Sequence, residues 1–511
     1  MKKNNFKFIL KFFLIIILCA TTFSVRFFML QKSNEPNGLD GYFYALQAKS
    51  FVERGYLENP SIAPGYYLCG LCSFFTKSPI IAVKVWSAIS STLVSLAIFL
   101  ILFTSTKNFL ISTTGFLLSA ASPVFTVFSI NYINNQTGIF FLLFFILSIL
   151  KFLESLSKKY LIIGFIFFIL ASISHKVTMI YSFIFTIVIF LPTFIRFIKN
   201  QFKFFIKGQK AITLVLLFLF FALIFISALL FFNKHSPRFL NAFSMPSLPF
   251  LNHKKLCHEI TLFGIFEISF YYCIMYIFAI ILLLKKLKIH LILFVPVLFF
   301  PFLNLDSDMG IRLFSNAIPL TIPLFLYELN LLFNFLARKK IISIFGIIFC
   351  LILTCFMFFS PNIYNPKNDP PYKYYKKVVS SIHLEKDNLL IAHLGLNHVY
   401  TYYNDLKDAL NWLPNFDIPI EKTWRLAYGV NSTYLKLFFD NRYSIENLPK
   451  NYSALLIPID SNYTLLREDL WQFYLKNETP EIAQTYNNWY NPHKKRPDFI
   501  RKGKKFVPSK N

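Results

Sequence analysis

The stretch Asn37-Gly38-Leu39-Asp40-Gly41-Tyr42-Phe43-Tyr44-Ala45-Leu46-Gln47-Ala48-Lys49-Ser50-Phe51-Val52-Glu53-Arg54-Gly55 directly follows the first long apolar segment, so it is predicted to lie at a membrane surface. It begins with turn residues and a carboxylate and then has the pattern of a short helix that Gly55 ends. One stripe of this helix comprises Asp40, Tyr44, Gln47 and Phe51. Two interpretations of Asp40 stay open: a helix N-cap, which aspartate favours, or a base or metal ligand acting on a lipid-linked substrate.

Composition places the chain among membrane proteins. Of its 511 residues, 55% are hydrophobic and only 15% are charged, whereas soluble proteins carry about a quarter charged residues. Apolar runs of about 20 residues recur along the chain, and in lipid only helices and closed barrels satisfy their backbone hydrogen bonds. The sequence therefore predicts a polytopic α-helical membrane protein.

The net charge of +27 would by itself suggest nucleic-acid binding. Most lysines and arginines, however, lie in short loops between apolar runs, where they set the topology of a membrane protein. The sequence also lacks a P-loop, a Rossmann fingerprint and any cysteine–histidine pattern with metal-ligand spacing. Nucleic-acid binding and cytoplasmic nucleotide use therefore have no support in the sequence.

We predict about eleven transmembrane helices. They cover residues 6–30, 81–104, 109–129, 137–153, 160–174, 177–195, 211–232, 261–284, 289–303, 312–336 and 341–360. Each loop on the side of the basic N-terminus carries lysine or arginine, and the 233–260 loop is a basic exception on the other side. The positive-inside bias then places the N-terminus in the cytoplasm and the loop at 31–80 on the outer side of the membrane. The membrane is expected to be an inner (plasma) membrane.

Two domains are predicted: residues 1–360 within the membrane and residues 361–511 outside the cytoplasm. Long apolar runs stop near residue 360, and Pro366, Pro370 and Pro371 mark a linker. In the second domain, the patterns predict strands at 389–392 and 454–458 and helices at 372–381 and 461–475. About 150 residues suffice for one small α/β domain.

Polar residues at the outer ends of predicted spans are candidates for substrate binding. His175 and Lys176 interrupt two apolar runs, and Lys176 either snorkels to lipid headgroups or binds substrate. At the mouth of a late span, Arg312 either holds a lipid phosphate with its planar fork or pairs with Asp308. Because polar groups near membrane depth usually mark function, we expect these side chains to share one cavity with Asp306 and Asp40.

Two further features have local interpretations. Glu53 is expected to pair with Lys49, four residues earlier, rather than to ligate a metal. Cys69 and Cys72 have redox-motif spacing, but without a thioredoxin-like context two buried packing cysteines are favoured over a disulfide.

Short motifs lie at three places within residues 1–360: Asp40-Gly41-Tyr42-Phe43-Tyr44-Ala45 in the first outer loop, Ala121-Ser122-Pro123 in the third span, and Arg312 before Pro319 and Pro323. In these motifs the chain resembles the GT-C superfamily of integral-membrane glycosyltransferases, which use polyprenyl-phosphate sugars and include protein mannosyltransferases and the aminoarabinose transferases of lipid A. A soluble outer domain at the end of the chain is a further feature of this resemblance. Many members have an Asp-Glu pair where this chain has Asp40-Gly41. Because the second carboxylate of that pair is missing here, a requirement for Mg²⁺ or Mn²⁺ stays open.

The resemblance implies a hexosyl- or pentosyltransferase that moves a sugar from a polyprenyl-phosphate donor to a glycan, lipid or protein acceptor of the cell envelope. Inverting transfer needs one base for the acceptor hydroxyl, and Asp40 is the expected base. Arg312 and Lys176 are expected to stabilise the leaving lipid phosphate. The other predicted substrate-binding residues are Tyr44, His175 and Asp308.

Two other classes stay open. A transporter or flippase of a lipid-linked sugar would favour paired half-repeats, and the halves of this sequence show no such symmetry. A non-catalytic membrane assembly protein or receptor is the other alternative. An enzyme needs its outer acids and bases in one cavity closed toward the cytoplasm, whereas a transporter needs a path to both sides.

Overall fold

The computed structural model describes residues 2–155, 157–186, 316, 319–327, 329–331, 339–359, 364–385, 387–393, 395–405, 409–410, 419–430, 432–442, 448–449 and 451–477. The chain divides into two compact units. The first comprises Met1–Lys32, Ser61–Leu68 and Lys84–Asn365, and the second comprises Ser33–Pro60, Cys69–Val83 and Pro366–Asn511. The second unit therefore includes two segments of the predicted first outer loop as well as the C-terminal part of the chain.

Helices dominate the N-terminal part of the described chain. They are α1 (Lys2–Leu30), α2 (Gly41–Arg54), α3 (Pro64–Thr76), α4 (Pro79–Thr106), α5 (Phe109–Ala121), α6 (Pro123–Asn131), α7 (Ile133–Ser155), α8 (Lys158–Ser174) and α9 (Lys176–Thr186). Residues 319–327 and 329–331 are also helical, and α10 (Lys339–Phe359) follows. The predicted spans at 211–232, 261–284 and 289–303 lie outside the described residues.

Within the described ranges, three helices are long and apolar enough to cross a membrane: Ile9–Leu30 of α1, α4 and α7. The pair α5 and α6 passes the same test together, with a bend of 48° between the two helices. By length and composition, up to four spans are therefore present in this part of the chain, and the count of eleven stays a prediction.

The bend between α5 and α6 follows from Pro123. Proline has no N–H to donate and its ring collides with the preceding turn, so α5 ends at Ala121 and α6 begins at Pro123. The Ser122 hydroxyl caps α6 by accepting a hydrogen bond from the Phe125 N–H at 3.3 Å.

A buried arginine satisfies the backbone at this bend. Arg26 of α1 is 1% exposed, and its guanidinium donates to the carbonyl oxygens of Ala120 at 2.8 Å and Ser122 at 3.4 Å. It also donates to the hydroxyl of Thr126. Non-helical backbone at membrane depth is tolerated only where the protein supplies such partners.

The core of the first unit is apolar, with serines and threonines bonded to their own helices. Phe99, Phe116 and Leu142 belong to this core. The Thr92 hydroxyl donates to the Ala88 carbonyl at 2.9 Å, which satisfies a polar group without a second helix. Close approach of α7 and α9 requires a glycine, because a Cβ at Gly138 would lie 2.5 Å from Oγ1 of Thr178.

The second unit contains a five-stranded sheet. Besides α2, its elements are α11 (Tyr372–Ser380), β1 (Leu389–Ile391), α12 (Leu396–Tyr403), β2 (Ala409–Leu410), β3 (Thr423–Tyr428), α13 (Ser432–Asp440), β4 (Leu456–Pro458), β5 (Tyr463–Arg467) and α14 (Glu468–Asn477). Short 3₁₀ turns lie at Pro366–Asn368, Ile420–Lys422 and Tyr452–Leu455. The strand order is β2-β1-β3-β5-β4, with β1 parallel to β2 and β3, and β5 antiparallel to β3 and β4.

A buried ion pair joins β3 to the start of α14. Arg425 donates to both carboxylate oxygens of Glu468, at 2.8 and 2.9 Å, and its guanidinium also lies over the Trp471 ring. The Glu468 side chain is fully buried. Because removal of either partner would leave an uncompensated buried charge, substitution of either residue alone is expected to destabilise the second unit.

One predicted helix of the C-terminal part is wrong. The helix predicted at 461–475 is a strand, Tyr463–Arg467, followed by a helix that begins at Glu468. The strand forms because Tyr463–Arg467 pairs antiparallel with β3, an earlier segment of the chain. The strand predicted at 389–392 and the helix predicted at 372–381 are present as β1 and α11, and the segment at 454–458 contains β4.

Candidate active site

Asp40 occupies the N-cap position of α2, directly before Gly41. Its side chain is exposed and makes no capping hydrogen bond to the helix. The capping interpretation therefore does not account for this carboxylate. An exposed carboxylate at this place is a chemically possible proton acceptor.

The backbone of the turn before Asp40 is held by residues from the C-terminal part of the second unit. Gly38 has φ +75°, a left-handed conformation that glycine adopts without strain. Its N–H donates to Oδ1 of Asp369 at 3.0 Å. The Tyr372 hydroxyl donates a hydrogen bond shared between the carbonyl oxygens of Gly38, at 2.7 Å, and Leu39, at 2.8 Å.

The stripe predicted on α2 is mostly buried. Tyr44 is 6% exposed, and Gln47 is fully buried with its Oε1 accepting from the Asn59 N–H at 3.2 Å. Phe51 contacts the Phe74 ring, with centroids 6.3 Å apart. Tyr44 therefore lies in a packed environment, and its role in substrate binding stays a prediction.

Other residues of α2 attach it to the C-terminal part of the same unit. The Tyr42 hydroxyl donates to the Glu35 carboxylate and lies 2.9 Å from the Tyr403 hydroxyl. Burial, with these two neighbours, raises the pKa of Tyr42 far above its ordinary value. Lys49 donates to the Tyr402 carbonyl at 2.7 Å. Lys49 also lies 3.9 Å from Glu53, which confirms the predicted i,i+4 pair.

His175 and Lys176 belong to the first unit, at the junction of α8 and α9. The His175 ring is part-buried, and its Nδ1 accepts a hydrogen bond from the Val177 N–H at 3.2 Å. It therefore caps the start of α9, a structural role that its position in the sequence did not predict. Lys176 is exposed. Asp306, Asp308 and Arg312 lie outside the described residues. That all these side chains share one cavity with Asp40 therefore stays a prediction.

Lys84 is a candidate site residue that sequence reasoning missed. It lies near the start of α4 and is only 2% exposed. A lysine is costly inside a membrane protein and usually marks a substrate or ion site. The signal in the sequence was its place within a predicted span, because a topology-setting lysine would lie in a loop instead.

Buried amides on α7 also lie in the first unit. Gln136 donates to the Ser87 carbonyl at 3.1 Å, one turn along α4 from Lys84. Among the described residues, its Oε1 and the Asn135 Nδ2 are buried without a hydrogen-bond partner. Buried polar groups are normally hydrogen-bonded, so these two amides are further candidates for contact with a substrate.

The described residues contain no group of three or more His, Cys, Asp or Glu side chains that could hold a metal ion. Cys69 and Cys72 are free thiols on α3, and burial raises the pKa of both. A raised pKa disfavours the reactive thiolate, as the packing interpretation of these cysteines requires.

Solved structures provide the comparison that identifies the fold. No model of a protein family and no curated protein matches the chain. The crystal structure of ArnT from Cupriavidus metallidurans bound to undecaprenyl phosphate superposes with a TM-score of 0.53 at 10% identity, over 88% of this chain and 97% of that one. The apo structure of the same enzyme gives the same values. The chain has a GT-C-like fold. At this identity the likeness shows the fold alone, and the chemistry must be argued from the residues.

Proposed function

We propose that the protein is a glycosyltransferase that moves a sugar from a polyprenyl-phosphate donor to a glycan, lipid or protein acceptor of the cell envelope. One observation carries the proposal: Asp40 presents an exposed carboxylate, unused as a cap, at the start of α2 in a chain with a GT-C-like fold. The undecaprenyl phosphate bound to ArnT supports a polyprenyl-phosphate donor for this chain.

In the proposed reaction, Asp40 takes the proton of the acceptor hydroxyl as that oxygen attacks the anomeric carbon of the donor sugar. The bond between that carbon and the phosphate oxygen breaks, and polyprenyl phosphate leaves with the electron pair. Cations stabilise the charge that develops on the phosphate, and we assign this role to Lys84, Lys176 and Arg312. Tyr44, His175 and Asp308 are proposed to contact the substrates, and a divalent metal, Mg²⁺ or Mn²⁺, is a further candidate requirement.

The proposed site faces the outside of an inner (plasma) membrane. A lipid-phosphate donor carries its own activated sugar, which allows transfer where nucleotide sugars are absent. The N-terminus is then cytoplasmic, the chain has about eleven spans, and residues 361–511 lie outside the cytoplasm.

The variant Asp40→Asn tests this function. In nanodiscs with undecaprenyl-phosphate pentoses and hexoses as donors and an envelope extract as acceptor, we expect release of undecaprenyl phosphate to fall by about 10²- to 10⁴-fold. Asp387→Asn is the control, because Asp387 is an exposed acid paired with Lys422 in the same unit. Substantial release by Asp40→Asn would remove Asp40 from the chemistry. A transporter or flippase would instead move the intact donor across the bilayer without releasing undecaprenyl phosphate.

A further inference from the structure

Two residues that follow α10 contact the turn that precedes Asp40. Asp369 lies just after the Pro366–Asn368 turn, and Tyr372 begins α11. Both bind backbone atoms of Gly38 and Leu39, more than 300 positions earlier in the chain. The Gly38 N–H and carbonyl are both bound by these two side chains, so the peptide planes on each side of Gly38 have fixed directions.

The geometry of the turn sets the position of the carboxylate. Asp40 is the first residue after Leu39, and its Cα–Cβ direction depends on the peptide plane that the Tyr372 hydroxyl holds at the Leu39 carbonyl. On the other side of Asp40, the Gly41 N–H lies 3.4 Å from the Gly38 carbonyl, which closes the turn. A displacement of about 1 Å at a catalytic group can lower a rate by about a hundredfold.

We propose that Asp369 and Tyr372 are positioning residues that hold the Asp40 carboxylate in its reactive place, so that the segment after α10 completes the active site. This rests on the proposed function, in which Asp40 is the base. Neither residue needs to touch substrate, because each acts on the backbone that carries Asp40.

The Tyr372 phenol is suited to this task at all physiological pH values. Its side chain is 2% exposed, and burial is the main cause that raises its pKa well above the ordinary value of 10, with the charges of Asp40 and Asp369 adding to the effect. The hydroxyl therefore keeps its proton and stays a donor to the two carbonyl oxygens.

The Tyr372 ring has a separate packing role, which allows a clean substitution. The ring makes an edge contact with Tyr42, with centroids 4.9 Å apart. Tyr372→Phe keeps this contact and removes only the hydroxyl. Tyr374→Phe is the matched control on the same helix, because its hydroxyl donates to Asp460 at 2.7 Å instead of to the turn. Asp369→Ala removes the acceptor for the Gly38 N–H, whereas Asp369→Asn keeps an oxygen at that place.

The experiment compares kinetics and amide hydrogen exchange in the full-length protein in nanodiscs. For Tyr372→Phe and Asp369→Ala we expect kcat to fall on the order of 10- to 100-fold with KM for the donor unchanged, and faster exchange in a peptide covering residues 36–44. Tyr374→Phe should match the parent protein in both measurements, and Asp369→Asn should restore kcat.

Several outcomes would overturn this inference. Normal kcat in Tyr372→Phe and Asp369→Ala would do so, as would an equal loss in the Tyr374→Phe control. A rise in KM with kcat unchanged would show a role in substrate binding instead of positioning. If Asp40→Asn keeps its activity, the proposed function fails, and the exchange measurement still decides separately whether Tyr372 and Asp369 order the turn.

Discussion

Lys84 lies near one end of α4 and is almost fully buried, whereas Lys107, directly after the other end, is 60% exposed in its side chain and pairs with Glu154 at 2.6 Å. The two lysines therefore differ in how far their ammonium groups are solvated. An exposed lysine at a helix end is solvated, whereas burying a lysine is costly and often marks a functional site.

Lys84→Gln is expected to lower turnover of a polyprenyl-phosphate donor by about 10²-fold or more, because glutamine can still hydrogen-bond but cannot stabilise the leaving phosphate charge. Release of undecaprenyl phosphate is the measurement. Lys107→Gln should leave that rate unchanged. A near-normal rate in Lys84→Gln would limit Lys84 to a structural role.

The His398 side chain is expected to make the stability of the second unit depend on pH. Its ring packs on Phe43, with centroids 5.0 Å apart, and burial lowers its pKa from 6.5 to about 4. Between these pH values the unfolded chain binds a proton that the folded one does not, so stability falls as the pH drops below 6.5, by at most about 1.4 kcal/mol per pH unit. The apparent Tm between about pH 7 and about pH 4.5 should decrease less steeply in His398→Gln than in the parent. An unchanged slope would assign the effect to other groups, and exposed His383→Gln is the control.

At the scale of elements, the α5–α6 bend and α1 depend on each other. Arg26 of α1 donates to the Ala120 carbonyl in the last turn of α5 and to the Ser122 carbonyl, which also accepts from the Thr126 N–H of α6. A cation at a helix C-terminus also interacts favourably with the helix dipole. The bend and the buried arginine therefore form one structural feature, contributed by two elements that are distant in the sequence.

Arg26→Met is expected to destabilise the protein by about 2–4 kcal/mol, because the side chain keeps its volume while the carbonyl oxygens lose a charged donor. Arg26→Lys should recover part of this loss, since a lysine can reach one carbonyl but lacks the fork. The midpoint of thermal inactivation in detergent measures both variants.

The control for this comparison is Arg54→Met, which removes an ion pair with Glu58 at the end of α2. A pair of this kind, partly exposed to solvent, contributes about 1 kcal/mol or less, so the control should shift the midpoint much less than Arg26→Met does. Equal stability of Arg26→Met and the parent would show that water or lipid satisfies the bend instead.

At the scale of the whole molecule, the two units contain interleaved segments of the chain. The second unit joins Ser33–Pro60 and Cys69–Val83 to the region from Pro366 onward. Hydrogen bonds such as those from Lys49 to Tyr402 and between Tyr42 and Tyr403 span more than 350 residues. Contacts of such long sequence separation are costly in loop-closure entropy, so this unit is expected to form after the C-terminal part has been synthesised.

The topology supplies a prediction at this scale. A reporter that is active only outside the cytoplasm should be active when fused after residue 370 and inactive when fused at residue 205, because lysines and arginines favour the cytoplasmic side. Reporter activity in intact cells is the measurement. The reverse pattern, with the fusion at 205 active and that at 370 inactive, would contradict the eleven-span arrangement.

Local patterns in the sequence determined the helices of the first unit and their membrane character. Runs of apolar residues specify α1, α4 and α7, because a helix in lipid satisfies its own backbone and its length follows from bilayer thickness. Pro123 marks the end of α5 for an equally local reason. The start of α2 directly after Asp40 and the pair of Lys49 with Glu53 also follow from neighbours within a few residues.

Only the tertiary structure decided the features that depend on distant partners. Tyr463–Arg467 is a strand because β3 lies beside it, although its local pattern suggested a helix. The burial of Lys84 depends on which helices surround α4, and a single residue in an apolar run cannot show that. Asp369 and Tyr372 hold the turn before Asp40 from more than 300 residues away. The physical reason is the same in each case: hydrophobicity and backbone propensity act over one or two turns of chain, whereas hydrogen bonds and burial between distant segments exist only after the chain has folded.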